Sequence, residues 1–264
     1  MYSLRLTCTT AEIDRISAEL WEAGTAGIQE TEHDGQVVLI ASFETSGLRP
    51  ALLARFDQHS PKWQQENDTD WFRETIRAWP ARKIGEQIFL APLWDNERTP
   101  AGRVRVVHNP GLACGTGEHP CSQLALAALE KHLRNGDRVA DIGTGSGILA
   151  IAALRLGAAS AVGIDVDEAA LAAAKQNFDL NQLIPALAAG SADCLPDAYA
   201  DIAIANINAT VLISILDDLT RITRTGGFLI LTGFPEWEAD VFKGFFDAAD
   251  ISNEQEWRCV TVRI

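Results

Sequence analysis

Along the first residues, apolar and polar side chains alternate. Tyr2, Leu4, Leu6 and Cys8 fall on one side of the chain, and a period of two predicts a strand. Ile13, Ile16, Leu20 and Trp21 then recur at helical spacing. They predict a helix capped by Thr10 and stopped at Gly24. Asp34-Gly35 lies between the stretches Gly27–Thr31 and Val37–Phe43 and reads as a hairpin turn. A helix over about Pro50–Gln58 completes a β-α-β-β-α order. That order predicts a small α+β, ferredoxin-like unit across residues 1–67. Trp71, Phe72, Ile76 and Trp79 predict an aromatic helix. Pro80, Pro92, Pro100 and Pro110 mark the rest of 68–110 as a connector with some strand content.

From residue 111 the pattern changes. Short apolar runs at Arg138–Ile142, Ala161–Ile164, Ile202–Ala205 and Phe228–Thr232 alternate with helical stretches ending near Leu156, Asn181 and Thr223. Repeated β-α units predict an α/β domain over 111–264, a parallel sheet with helices on both faces. The longest clean apolar run near the middle, Ile148–Leu154, is too short to cross a bilayer, so no membrane association is expected. The first seven residues show no basic segment followed by an apolar run, so no signal peptide is expected.

Charge narrows the partners. The net charge is −14, and only residues 81–110 are net basic. A phosphate backbone calls for a basic face, so direct nucleic-acid binding is not expected; a basic partner is. The five cysteines, Cys8, Cys114, Cys121, Cys194 and Cys259, form no Cys-x-x-Cys pair. They read as reduced thiols and point to the cytoplasm.

Three strand ends carry the chemistry. Asp141-Ile142-Gly143-Thr144-Gly145-Ser146-Gly147 closes one strand and opens a helix, a turn where backbone can approach a ligand closely. Ile148 stands where a dinucleotide fingerprint has its third glycine. The D-x-G-x-G-x-G spacing instead resembles the first motif of class I S-adenosylmethionine-dependent methyltransferases. Asp165 ends the next strand, 22 residues after Gly143, where a carboxylate can accept hydrogen bonds from both ribose hydroxyls. Asp167 is the better cap for the following helix. Asn206 ends the third strand, and either Asn206 or Asn208 could instead cap the next helix. Upstream, the loop Asn109–Gln123 offers Thr116 and Ser122 near a helix N-terminus. Glu118 and His119 lack a second ligand at metal spacing, so no metal is expected.

Pro110-Gly111-Leu112-Ala113-Cys114-Gly115-Thr116-Gly117-Glu118-His119-Pro120, with Gly145–Leu154 and Ala205-Asn206-Ile207, is similar to the ribosomal protein L11 methyltransferase family over nearly the whole chain. The resemblance implies a Rossmann-like class I methyltransferase domain behind a small substrate-recognition domain. It also implies S-adenosylmethionine as cofactor and amino groups of a basic ribosomal protein as acceptors. The implied cofactor contacts are Ser122, Gly143, Asp165 and Asn206; Asp141 and Gly145 of the glycine motif are also expected to contact the cofactor, and Asn206 is expected at the reacting end as well. The chain departs from the family at Cys121 and Ser122, where two threonines are usual. It departs again at Cys114, usually aromatic, and at Asn208, usually leucine. Two other readings stay open at this point: a small-molecule methyltransferase on the same fold, and a cofactor-binding module without catalysis.

Overall fold

The computed structural model describes residues 2–25, 27–33, 36–65, 79–110, 117–243, 245–246 and 249–264. The hairpin tip Asp34-Gly35, the helix expected around Trp71, Phe72 and Ile76, and Cys114 and Thr116 of the 110–120 loop lie outside the described residues. The chain divides into two compact units, Met1–Ala78 and Trp79–Ile264.

In the first unit, β1 (Tyr2–Cys8), α1 (Ile13–Glu22), β2 (Gly27–His33), β3 (Gln36–Phe43) and α2 (Arg49–Arg55) follow the expected order. A fourth strand, β4 (Lys62–Gln65), pairs antiparallel with β1, giving the sheet order β2-β3-β1-β4. Sequence pattern hides β4 because Lys62, Gln64 and Gln65 are exposed and only Trp63 is half-buried. Leu4, Leu6, Ile16, Leu20, Leu39, Phe43 and Phe56 form the core of this unit. The helix cap falls at Thr9, one residue earlier than expected. The Thr9 N–H donates to the Glu12 carboxylate at 3.0 Å, the reciprocal arrangement that satisfies an orphan helix-start donor. Thr25 N–H to Leu20 O and Gly24 N–H to Trp21 O close the other end, a Schellman-type stop. Trp21 does not join the core; it is 57% exposed.

In the second unit, β8 (Arg138–Ile142), β9 (Ser160–Asp165), β10 (Leu187–Ala189), β11 (Ala200–Asn206) and β12 (Thr223–Pro235) are parallel. β14 (Trp257–Arg263) and β13 (Ala249–Glu254) close the sheet as an antiparallel hairpin. The order is β10-β9-β8-β11-β12-β14-β13. Helices α3 (Pro120–His132), α4 (Ile148–Arg155) and α5 (Glu168–Leu180) contribute Leu126, Leu129, Ile151 and Phe178 to the core on one face. Helices α6 (Ala209–Ser214), α7 (Leu216–Ile222) and α8 (Glu236–Lys243) contribute Leu212, Leu219 and Phe242 on the other. The single helix expected over 209–223 is broken at Ile215, whose φ of −115° leaves helical backbone.

The connector reading of 68–110 is corrected for its second half. β5 (Arg82–Ile84), β6 (Ile88–Pro92) and β7 (Val104–His108) form a three-stranded sheet. Ile84, Ile88, Leu90 and Val106 are buried in one cluster with α3 and α4. The prolines sit at the strand ends and in the loops between them, where a missing N–H does no harm, so they punctuate a sheet. None of the described helices is long and apolar enough to cross a membrane.

Candidate functional site

The chain runs outward from β8 to β9 and β10, then returns to place β11 on the other side of β8. Ligands bind outside the carboxyl ends of strands at such a switch point. A cavity of about 850 Å³ opens there, within the range of about 300–1,000 Å³ that holds cofactor-sized molecules. Strand order sets the sequence of its walls. Asp165 ends β9, Gly143 follows β8, Asn206 ends β11, Gly233 lies near the end of β12, and Trp257 begins β14.

The glycine turn is fixed by neighbours on both sides. Gly143 has φ +70°, and a Cβ there would sit 2.6 Å from Cγ2 of Ile207; the position tolerates no side chain. The N–H groups of Gly143 and Thr144 donate to Ile164 O at 2.8 and 3.0 Å. The Gly145 N–H donates to Asp165 Oδ2 at 2.9 Å, and the Asp167 N–H donates to Asp165 Oδ1 at 3.0 Å. A carboxylate oxygen accepts more than one donor, so the half-buried Asp165 retains capacity for a ligand while it ties the turn to its own strand. Asp167 caps α5, accepting from Ala169 N–H at 2.9 Å.

Asn206 and Ser122, 84 residues apart in the chain, meet at the cavity: Asn206 Nδ2 donates to Ser122 Oγ at 3.2 Å. Asn208 caps α6 through Val211 N–H at 3.0 Å, which resolves the choice of cap and leaves Asn206 to the site. The departure from the usual leucine thus has a local role. The Cys121 thiol is buried, which pushes its pKa up and keeps it a neutral thiol. His119 also caps a helix, its Nδ1 accepting from Cys121 N–H at 3.3 Å. Its ring meets Trp257 edge-on at 4.4 Å between centroids. Glu118 is held instead by Arg82 at 2.8 Å.

Asp141 is corrected from a direct contact to a supporting one. It is completely buried and does not line the cavity. Its Oδ2 accepts from Thr144 Oγ1 at 2.7 Å and from Ala150 N–H at 3.2 Å, fastening the glycine turn to the start of α4. Its Oδ1 has no hydrogen-bond partner among the described residues. Burial lifts its pKa to about 7. An unfolded Asp titrates near about 3.9. Between about pH 4 and pH 7 the folded chain therefore holds a proton that the unfolded chain has released. This contribution to stability is complete at the acid end of that window and is lost as pH rises through it. His108, buried with its pKa lowered to about 4, acts in the opposite sense and loses its contribution on acidification below about 6.5. Asp141→Asn leaves His108 untouched. The unfolding free-energy difference between variant and wild type, read from denaturant melts at each pH, is expected to shift in the variant's favour from about pH 5 to 8, on the order of a few kcal/mol. A difference that stays constant with pH would mean Asp141 is ionised throughout.

Several residues of the site escaped the sequence pattern. Gly233 has φ +105°, and a Cβ there would lie 2.4 Å from Ile207 O. The signal was present, since a glycine follows the apolar run Phe228–Thr232 as Gly143 follows β8. Trp257 belongs to a strand that was not expected. Asn177 is 2% exposed. Its Nδ2 donates to Ser146 O at 2.8 Å, and its Oδ1 accepts from Asn109 N–H at 2.8 Å. One amide thus joins the glycine turn to the head of the 110–120 loop.

The donors and acceptors fit a nucleoside that carries an amino-acid end. A carboxylate lies at one end, bare backbone in the middle, and an amide–hydroxyl pair next along the sheet. Comparisons with known proteins agree. Residues 41–264 match the family model of ribosomal protein L11 methyltransferase. The ribosomal protein L11 methyltransferase of Hahella chejuensis is 35% identical over 200 residues, 74% of this chain and 68% of that protein. That of Klebsiella pneumoniae is 33% identical over 98% of both chains. The crystal structure of ribosomal protein L11 methylase from Lactobacillus delbrueckii subsp. bulgaricus superimposes with a TM-score of 0.64 at 27% identity, covering 69% of this chain and 97% of that one. The chain therefore belongs to the ribosomal protein L11 methyltransferase family and is an S-adenosylmethionine-dependent methyltransferase.

Proposed function

We propose that this enzyme methylates amino groups of ribosomal protein L11 in the cytoplasm, without direct contact to nucleic acid or membrane. The observation that carries the reading is the continuous cavity wall from Asp165 through Gly143 and Asn206 to Trp257, in a chain whose relatives are named for that substrate. Asp165 holds the ribose hydroxyls, the Gly143–Gly145 backbone lies against the middle of the cofactor, and Ser122 and Asn206 hold its amino-acid end. Asp141 keeps the turn in shape from below.

S-adenosylmethionine, when bound, supplies a methyl group on a sulfonium, a leaving group that needs no acid from the protein. The protein's part is to align the acceptor and exclude water. Neighbouring strands lie about 4.8 Å apart, so β12 and β14 place Gly233 and Trp257 beyond Asn206, on the side away from Asp165. The acceptor amine enters there. Ile207, Val211, Ile215 and Trp257 are among the apolar residues that line the cavity, and an apolar wall disfavours the ammonium form, which cannot attack.

The direct test is incubation with radiolabelled S-adenosylmethionine and a ribosomal protein fraction. One labelled band, identified as L11 with the label on amino groups, is expected. Label on RNA or on small molecules only would overturn the reading. A division of labour follows from the separate cores of the two units. Removing residues 1–78 should leave cofactor affinity within about twofold, because additivity holds for independent regions, and should abolish L11 methylation. A truncated enzyme that methylates L11 at the wild-type rate would show that the first unit does not recognise the substrate.

A further inference from the structure

The rim of the cavity on its β12 and β14 side carries a surface that these roles leave unused. On α8, Ala239 and Phe242 are buried, whereas Trp237 is 73% and Val241 45% exposed. These two lie four residues apart, on one side of the helix. Phe245, just beyond the helix, is 55% exposed. Single apolar residues on a surface are ordinary; an exposed Trp, Val and Phe within nine residues form a patch. The same stretch is strongly acidic: residues 236–256 contain seven Asp or Glu and one Lys.

This patch is built as one block with the cavity wall. Pro235, immediately before α8, pairs with Trp257, and the Glu236 N–H donates to Glu256 O at 2.7 Å. The Arg258 guanidinium, with its side chain 13% exposed, binds the Glu236 carboxylate at 2.8 Å. It also donates to the carbonyls of Gln255 and Trp257 at 2.9 Å. The start of α8 and the turn between β13 and β14 are thereby fixed to each other beside Trp257. The carboxylates of Glu254 and Glu256 at that turn are exposed.

We infer that this face, Trp237 and Val241 flanked by Glu254 and Glu256, docks the basic segment of the protein acceptor that carries the target amine. The inference rests on the protein-amine reading above. An acceptor lysine titrates near about 10.4, so it arrives as a cation, and an acidic rim attracts it and its basic neighbours. An exposed indole binds the stems and charges of Lys and Arg by apolar contact and by cation–π attraction. Acidic and apolar residues side by side thus complement a segment that is basic and apolar. The ammonium meets the carboxylates outside and the apolar wall only after it passes Trp257.

The test uses the full-length enzyme and purified L11, with two variants, Trp237→Ser and the double charge reversal Glu254→Lys/Glu256→Lys. Two readouts are taken: steady-state methylation, and direct titration of L11 in the presence of S-adenosylhomocysteine. Each variant is expected to raise KM and Kd for L11 about tenfold, with kcat and cofactor affinity within about twofold of wild type. The charge reversal should also flatten the salt dependence of KM. Unchanged KM and Kd in both variants would overturn the proposal. A large loss of Tm in Trp237→Ser, or a changed sedimentation coefficient of the free enzyme, would also overturn it, by showing that the patch packs within this chain or against a second copy. If wild type binds L11 without labelling it, methylation of L11 is the reading that fails, and the titrations still decide the docking face. If wild type does not bind L11 at all, both fall.

Discussion

Asp165→Ala is expected to weaken S-adenosylmethionine binding by about 10²–10⁴-fold. A hydrogen bond to a charged group contributes about 1.5–3 kcal/mol, and in the proposed binding mode the carboxylate would accept from two ribose hydroxyls. The substitution also removes the acceptor of the Gly145 and Asp167 N–H groups, now at 2.9 and 3.0 Å. The ligand-free variant should therefore melt lower than wild type, because the glycine turn loses its tie to β9. Asp165→Asn separates the two effects. It keeps an acceptor for one amide but has no charge, so most of the affinity should still be lost while stability partly returns. Calorimetry with the cofactor alone, beside ligand-free melts, is the measurement. Wild-type affinity in Asp165→Ala would remove the carboxylate from the cofactor's binding set.

Asn206→Asp is expected to fold normally and lose about 10²-fold or more in kcat, comparable to removing one preorganised donor at a reacting centre. The amide has no useful basicity near neutral pH, so the role proposed for Asn206 is to orient groups and not to take a proton. The new carboxylate is almost isosteric and accepts from the Ser122 hydroxyl, so the 206–122 contact reverses direction without breaking. Its charge is the change that matters. It stabilises positive charge before reaction more than in the transition state, where that charge is dispersing, and it favours the ammonium form of the acceptor. Both effects slow the reaction, and raising the pH recovers only the second. Single-turnover rates across pH, with Tm as the folding control, decide the point. Asn208 already caps α6, so among the described residues a purely structural role for Asn206 rests on its bond to Ser122. A stable variant with wild-type rates would assign it that role.

Much of the site was legible because its signals are local. A strand that ends in glycines, an acid at the end of the next strand and an amide at the end of a third are each read within a few residues. The β-α alternation then brings those ends to one edge of a sheet. Asp167 could be chosen over Asp165 as the cap from helix position alone. The choice between Asn206 and Asn208 could not be made this way, because both stand within reach of the helix start. Asp141 misled for a related reason. The motif places it beside the ligand-facing turn, but a strand's side chains alternate between faces, and only packing decides how deep a carboxylate sits.

By itself, the sequence determined the two units' fold classes, the parallel core strands, the glycine turn, the acid of β9 and the amide of β11, because each is encoded in periodicity or in spacing along the chain. Tertiary structure alone decided what depends on contacts between distant segments. It put the polar strand β4 on the open edge of β1, where it needs no apolar pattern. It turned the proline-punctuated stretch before residue 110 into a sheet, since Ile84, Ile88, Leu90 and Val106 find their apolar partners in a cluster that includes α3 and α4, later in the chain. It joined Ser122 to Asn206 across 84 residues, and it set Gly233 and Trp257 into the cavity wall through the pairing of β12 with β11 and β14. It also placed the apolar and acidic face of α8 beside that wall. In each case the reason is the same: a buried contact is favourable only when two surfaces meet, and the second surface lies elsewhere in the chain.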